Sequence, residues 1–254
     1  IDGDNRTVAV EGGIQYGELG PLLHDKGFAL HNLASLPHIT VAGAMATATH
    51  GSGSKNGNLA TAVSAFEFIA ADGELHQLSR GKDGDTFSGA VVHLGALGIL
   101  TKVWIDIQPT FHVREFAYRN LSMPDLWENI RAIMDSAYSV SVFTRWDGAS
   151  LRLKVRDDAG FQPQPEFFGA QLVMNEKRNE AGTWYERLPH FRMDSLPKRG
   201  KELQSEYFVE IEHATAAIKA IASLGDRIRP VLRASELRTV AADKLWMSTC
   251  YNRP

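Results

Sequence analysis

A chain of 254 residues, 44% hydrophobic and 22% charged, has the ordinary composition of a globular protein and enough length for one large or two medium domains with proper cores. Its formal net charge of −3 is spread along the chain and leaves no electrostatic footprint for nucleic acid. No apolar run approaches the roughly 18 residues needed to cross a bilayer, so no membrane partner is expected. The single cysteine, Cys250, excludes an internal disulfide framework and a multi-cysteine metal site, and fits a reducing compartment.

In chain order, Thr7–Val10 reads as a strand ending at a Gly12-Gly13 turn. Residues 16–26 carry Leu19, Leu22 and Leu23 at helical spacing, with Pro21 expected in the first turn and Gly27 as a stop. Residues 62–79 read as two strands around an Asp72-Gly73 hairpin turn. A short helix is expected over 85–94, and an alternating strand over 95–108. Pro109 marks a change of style. Beyond it come strand 111–119, helix 123–137 with Leu126, Ile130 and Ile133 on one face, strand 139–146, and strand 151–156 with Leu151, Leu153 and Val155 on one face. The polar, proline-rich stretch 157–204 has no assignment. Strand 206–211, helix 212–227 and strand 231–240 complete the pattern. Two strand–helix–strand units suggest a split βαβ sandwich, and the expected boundary lies near 108–110.

Residues 33–53, LASLPHITVAGAMATATHGSG, hold almost no charge and many small side chains. Gly43, Gly51 and Gly53, interleaved with Ser35, Thr40, Thr47, Thr49 and Ser52, let a ligand approach the main chain and offer N–H groups and hydroxyls to a phosphate-bearing or carbonyl-rich molecule. A buried, close-packed loop explains the same composition equally well. A Rossmann fingerprint is absent, because Gly51-Ser52-Gly53 does not open an amphipathic helix; a Walker A loop is absent, because Lys55 follows Ser54. The nine histidines are scattered without ligand spacing, so no metal site is expected.

The run from Asn32 to Gly43, continuing through Thr49-His50-Gly51-Ser52-Gly53, resembles the flavin-binding segment of the vanillyl-alcohol-oxidase superfamily. Four more stretches are similar to its alditol (xylitol) oxidase branch: 16–19, 92–99, 184–191 (WYERLPHF) and 235–242 (SELRTVAA). The resemblance implies an α+β protein: part of a PCMH-type FAD-binding domain over 1–108, then a ferredoxin-like α+β cap over 109–254 that binds substrate. It implies FAD as cofactor, attached through a histidine outside this chain. Ser35, Thr40, Gly43, Thr47, Ala48, Thr49, His50 and Ile99 match cofactor-contacting positions. Ala34 matches the position that governs oxygen access, and Ser35 also faces substrate. Glu236 and Arg238, two apart on an expected strand, would lie on one face and serve as substrate-binding and catalytic residues. From the residues alone an exposed strand ion pair is the commoner explanation of those two.

The activity so implied is oxidation of the terminal CH–OH of an alditol by hydride transfer, with O₂ reduced to H₂O₂. The expected partners are a small polyol and O₂, the expected state a monomer, and the expected compartment the cytoplasm. The chain reads as a piece of a longer protein, lacking the flavin-linking histidine before Ile1 and a substrate-site lysine after Pro254, so the piece alone is expected to be inactive. Ala48 stands where similar proteins often carry glycine. An aldonolactone oxidase or dehydrogenase of the same superfamily is one alternative; a non-catalytic carbohydrate- or nucleotide-binding module is another.

Overall fold

The computed structural model of the chain describes residues 1–195 and 203–253; part of the unassigned stretch 157–204 lies outside them. The first half runs β1 (Thr7–Glu11), α1 (Tyr16–Asp25), β2 (Phe28–Ala29), α2 (Val41–Ala46), β3 (Val63–Ile69), β4 (Leu75–Ser79), α3 (Arg80–Ala90), β5 (Ile99–Asp106) and β6 (Gln108–Pro109). Strands β1, β5, β3 and β4 lie side by side in that order, every neighbour antiparallel, while β2 and β6 form a short separate ladder. Alternation drives this sheet: Val8 and Val10 of β1, Phe66 of β3, and Val103 and Ile105 of β5 all enter one core, which α1 closes with Leu19 and Leu23.

The second half runs β7 (His112–Leu121), α4 (Met123–Met134), β8 (Ser139–Thr144), β9 (Ala149–Arg156), β10 (Glu166–Phe167), β11 (Ala170–Val173), α5 (Glu176–Asn179), β12 (Gly182–Thr183), α6 (Trp184–Arg187), α7 (Ala214–Ala222), α8 (Gly225–Ile228) and β13 (Ser235–Leu237). The sheet order is β10-β11-β7-β9-β8-β13, with β12 also on β7. Strand β9 thus separates β7 from β8, as a split βαβ unit requires; β13 joins the outer edge of β8, and β11 and β12 take the outer edge of β7. Helix α4 starts on Ser122, whose Oγ accepts from the Asp125 N–H at 3.1 Å. It buries Leu126, Ile130 and Ile133 against Phe116, Tyr118, Leu151 and Leu153, and α7 adds Ala214 and Ile218.

Two buried clusters result, one per half, but the first also takes Phe111, Val113, Trp184, Leu188 and Leu245 from beyond residue 109. The second sheet therefore meets buried residues on both sides along β7: Phe116 and Tyr118 enter the second cluster, and Val113, on the other side, enters the first. One side meets the helices and the other meets the first half.

Several expectations need correction. Pro21 lies in the middle of α1, because the helix begins at Tyr16, where the Glu18 carboxylate accepts the Gln15 N–H at 3.1 Å. The 85–94 helix is instead Arg80–Ala90, broken at Gly84 (φ 47°). The 212–227 helix is divided between α7 and α8 at Ser223–Leu224. Residues 206–210 form no strand: Glu206 and Glu210 are engaged by arginines, and the β-like run Tyr207-Phe208-Val209 stays exposed. Of the expected strand 231–240 only Ser235–Leu237 pairs with β8; after Leu237 the chain turns away.

Gly98 fixes the start of β5. Its φ of 139° lies outside the usual range of L side chains, and a Cβ there would overlap the Ile69 carbonyl of β3. Gly98→Ala is expected to destabilise the protein by about 2 kcal/mol or more, read as a lowered denaturant midpoint at unchanged slope.

Candidate functional site

The glycine-rich stretch divides into two parts with different jobs. From Thr40 to Thr49 it presents small groups to the outside. Thr40 caps α2, its Oγ1 accepting from the Gly43 N–H at 3.2 Å. Thr47 Oγ1 donates to the Gly43 carbonyl at 3.0 Å and pairs with Thr49 Oγ1 at 2.8 Å. Gly43 and Thr47 are exposed, and Thr40 and Thr49 are half-buried. Ile99, at the head of β5, is 72% exposed. Gly12 couples these parts: its N–H donates to Thr101 and its carbonyl accepts from Ala42. The result is a face of hydroxyls, bare main chain and one exposed aliphatic side chain. That donor set fits an elongated cofactor with a polar chain and an apolar ring system.

From His50 to Gly53 the stretch is interior. A Cβ on Gly51 would overlap the Leu33 carbonyl, and one on Gly53 would overlap the Tyr138 carbonyl and the Asn56 amide. Ser52 Oγ pairs with Ser139 Oγ at 2.5 Å. The Gly53 N–H donates to the Thr239 carbonyl at 2.8 Å, and the Ala241 N–H to the Asn56 carbonyl at 2.9 Å. These two glycines are small because main chain meets main chain, so the ligand reading fails for them. Ala48 adopts φ 50°, a left-handed conformation that glycine takes without strain.

That close approach brings the second sheet's polar face to the stretch. Strand register sets the face. Glu115 of β7 lies opposite Lys154 of β9, which lies opposite Ser139 of β8, and Phe143 of β8 lies opposite Glu236 of β13. All project away from the α4 side. Glu115 is buried and receives Arg178 at 2.7 and 2.8 Å. Lys154 is buried and donates to the Leu188 carbonyl. Burial pushes its ammonium down to about 8, against the pull of Glu115 and Glu236. His190 Nε2 sits 3.7 Å from Glu236 Oε1. Burial, then the positive charges of Lys154, Arg152, Arg238 and Arg178, lowers the imidazole to about 3, so it is neutral at physiological pH. The Ser35 carbonyl accepts from the His190 and Phe191 N–H groups, both at 3.1 Å.

Four of the residues singled out in the sequence, Ser35, His50, Glu236 and Arg238, are linked through shared partners. Ser35 meets the 188–191 segment, Glu236 meets His190, and the region of His50 meets that of Arg238. Glu236 and Arg238 do not pair with each other. Arg238 donates to Glu206, whose Oε1 also lies 3.4 Å from His50 Nε2. Ala34 is buried beside Leu33. His38 bonds the Met193 carbonyl through Nε2 at 3.1 Å and stays structural. Sequence reasoning missed Lys154, Glu115, His190 and Glu206. The signal for Lys154 was present: in LRLKV, Leu151, Leu153 and Val155 claim one face, which leaves Arg152 and Lys154 on the other face of a central strand. Glu206 carried no such signal, since its neighbours read as a strand. The one group of potential metal ligands among the described residues, Glu210, Glu212 and His213, lies elsewhere and is largely exposed.

Residues 1–79 match the FAD binding domain family. Over its whole length the chain is 39% identical to the alditol oxidase of Streptomyces sp., of which it covers 63%. It is 35% identical to the L-gulonolactone oxidase of Mus musculus over 58% of this chain and 32% of that protein. The solved structure of cholesterol oxidase from Brevibacterium sterolicum superposes with a TM-score of 0.54 at 15% identity, over 60% of this chain and 32% of that one, a likeness of fold. The chain thus spans less than two thirds of the relatives named here.

Glu206 gives this region a pH signature. The His50 hydrogen bond, aided by the charges of His50 and Arg238, holds its carboxyl at about 2 against the opposing effect of burial. A carboxyl lowered by folding contributes stability above its unfolded value near 4.5, and loses it as pH falls toward the folded value. Acid unfolding of the Glu206→Gln protein should therefore show a shallower dependence on pH between about 4.5 and 2 than the parent, measured by circular dichroism.

Proposed function

We propose, from the premise that the chain belongs to the flavin-dependent oxidoreductases carrying this FAD binding domain, that its parent protein oxidises the terminal CH–OH of an alditol to the aldose with O₂ as acceptor. The observation that carries the reading is the 39% identity to an alditol oxidase over the entire chain, which includes the segments bearing Ser35, Glu236 and Arg238. The two buried clusters support a division into a partial FAD-binding part, 1–108, and a partial substrate cap, 109–254.

FAD, when bound, supplies the two-electron acceptor for the hydride and returns the electrons to O₂ as H₂O₂. In this reading Ser35, Thr40, Gly43, Thr47, Ala48, Thr49, His50 and Ile99 would hold FAD, a histidine outside this chain would attach it, and Ala34 would govern oxygen access. The chain's own catalytic work is positioning and electrostatics. Glu236 accepts a hydrogen bond from a substrate hydroxyl, which fixes the polyol's register. Arg238 would donate to the reacting oxygen and stabilise the negative charge that builds there as its proton passes to solvent water, and Glu206 keeps the guanidinium in place. Ser35 adds a hydroxyl at the substrate's edge. The same reading takes the protein as a cytoplasmic monomer acting on a small polyol.

The match to an L-gulonolactone oxidase favours one competing substrate class, an aldonolactone. Full-length protein supplied with xylitol or L-gulono-1,4-lactone separates the two by peroxide production; turnover of the lactone with no response to alditols would overturn the proposal. Arg238→Ala is expected to lower kcat/KM for the alditol by about 100-fold or more while the flavin absorbance is retained.

A further inference from the structure

The polar face of the second sheet holds groups that the proposed reaction does not use. Lys154 is fully inside the protein with one hydrogen bond to its three donors. A buried ammonium costs several kcal/mol unless something compensates, and removing water from it is seldom tolerated for packing alone. Beside it are two buried polar atoms with no hydrogen-bond partner, Glu236 Oε1 and Ser141 Oγ. Buried polar atoms are nearly always partnered, so an orphaned carboxylate oxygen points to a bond made only in another state of the site.

The nearest donor candidate is His190. Its Nε2 lies 3.7 Å from Glu236 Oε1, beyond hydrogen-bond range but within reach of a small rotation. Such contacts in a ligand site are often long before the ligand arrives and tighten when it binds. The ring's place is fixed by main chain on both sides. Lys154 holds the Leu188 carbonyl, and the Ser35 carbonyl holds the His190 and Phe191 N–H groups. The Phe143 ring, 5.8 Å away, backs the imidazole, and the Arg152 guanidinium lies over the Phe143 ring at 4.9 Å. Burial, aided by the positive neighbours, keeps the imidazole uncharged, so one ring nitrogen carries a proton and the other does not. An uncharged imidazole can anchor a carboxylate without neutralising it.

We propose that His190 is a positioning residue: its ring N–H takes Glu236 Oε1, so that the other carboxylate oxygen is turned to a hydroxyl of a polyhydroxy ligand, and Lys154 fixes the segment that carries the ring. The proposal rests on the assignment of Glu236 to the ligand site. It adds what makes that carboxylate a directed acceptor and names three residues, Lys154, Leu188 and His190, that link the sheet to Ser35. The ligand class is a sugar derivative whose hydroxyls donate, whether an open polyol or an aldonolactone.

A double-mutant cycle in the full-length flavoprotein tests it, with the flavin absorbance confirming that each variant is folded and loaded. His190→Leu should raise KM about tenfold for whichever of xylitol and L-gulono-1,4-lactone the protein oxidises, a change equal to the loss of one directed hydrogen bond. His190→Gln, which keeps an N–H donor, should recover most of that loss. In a Glu236→Gln background the same His190→Leu change should alter KM by less than about twofold, because the group it acts through is already altered. Lys154→Met should raise KM more than it lowers kcat. Equal, additive effects in both backgrounds, or no change in the single variant, would overturn the role of His190. If the protein oxidises both ligands poorly but calorimetry shows that it binds one, the same cycle read on the binding constant decides. A parent that oxidises and binds neither overturns this inference together with the proposed function, whereas one that oxidises a polyol while its cycle is additive overturns this inference alone.

Discussion

The structure depends on how closely residues 50–58 lie against the chain around Tyr138 and Thr239–Ala241. Hydrogen bonds from the Gly53 N–H to the Thr239 carbonyl and from the Ala241 N–H to the Asn56 carbonyl join the two halves main chain to main chain, and the Asn56 side chain adds a bond to the Tyr138 carbonyl. A side chain at Gly53 would push the halves apart, and one at Gly51 would push Leu33 away. Main-chain bonds of this kind are directional and cannot be reached by longer side chains, so they fix distance as well as contact. Tyr138 adds a second link through its hydroxyl to the His31 carbonyl, and Asn58 a third through Asp243 and Ser248. Polar groups at a boundary between cores are satisfied here by one another.

Once that distance is set, the polar face of the second sheet is closed off, and its charges must resolve themselves inside. Glu115 is met by Arg178 and, at 3.9 Å, by Arg152; Lys154 finds a carbonyl and two carboxylates at longer range. A face of this kind contributes little to stability, because desolvation offsets the attraction. It does create a region of low polarisability in which a directed donor or acceptor acts strongly on a ligand. The fold is held by the apolar faces of the same strands, where Phe116, Tyr118, Leu151 and Leu153 pack under α4. Apolar packing and buried charge are thus divided between the two sides of one sheet.

Much of this was legible in the sequence, and the boundary of legibility has physical causes. Alternation gave β7, β8 and β9, and helical spacing gave α1 and α4, because each has one strongly apolar side. The 206–211 run failed because a strand needs an edge to pair with, and no pattern within the run reports whether one is present. The glycine-rich stretch was readable as two possibilities, an open ligand face or a close-packed loop. Its second half is close-packed, and only the neighbours of Gly51 and Gly53 could tell. Ser35, Glu236 and Arg238 stood out in the sequence through their resemblance to a family, and the structure places Ser35 against the 188–191 segment and Glu236 beside His190. His190 lay inside the WYERLPHF motif without being recognised, since it follows α6 outside any strand and its partner is 46 positions away on β13.

The pairing of Arg238 with Glu206, in place of Glu236, changes what each carboxylate can do. A carboxylate locked onto a guanidinium has spent its acceptor capacity on a fixed partner. Glu206 does this for Arg238 and for His50 together, and so ties the chain after β13 to the glycine-rich stretch. Among the described residues Glu236 has no cationic partner at bonding distance, and its Oε1 is orphaned. The two glutamates thus differ because of what stands beside them: Glu206 is taken up by Arg238 and His50, and Glu236 faces a neutral imidazole.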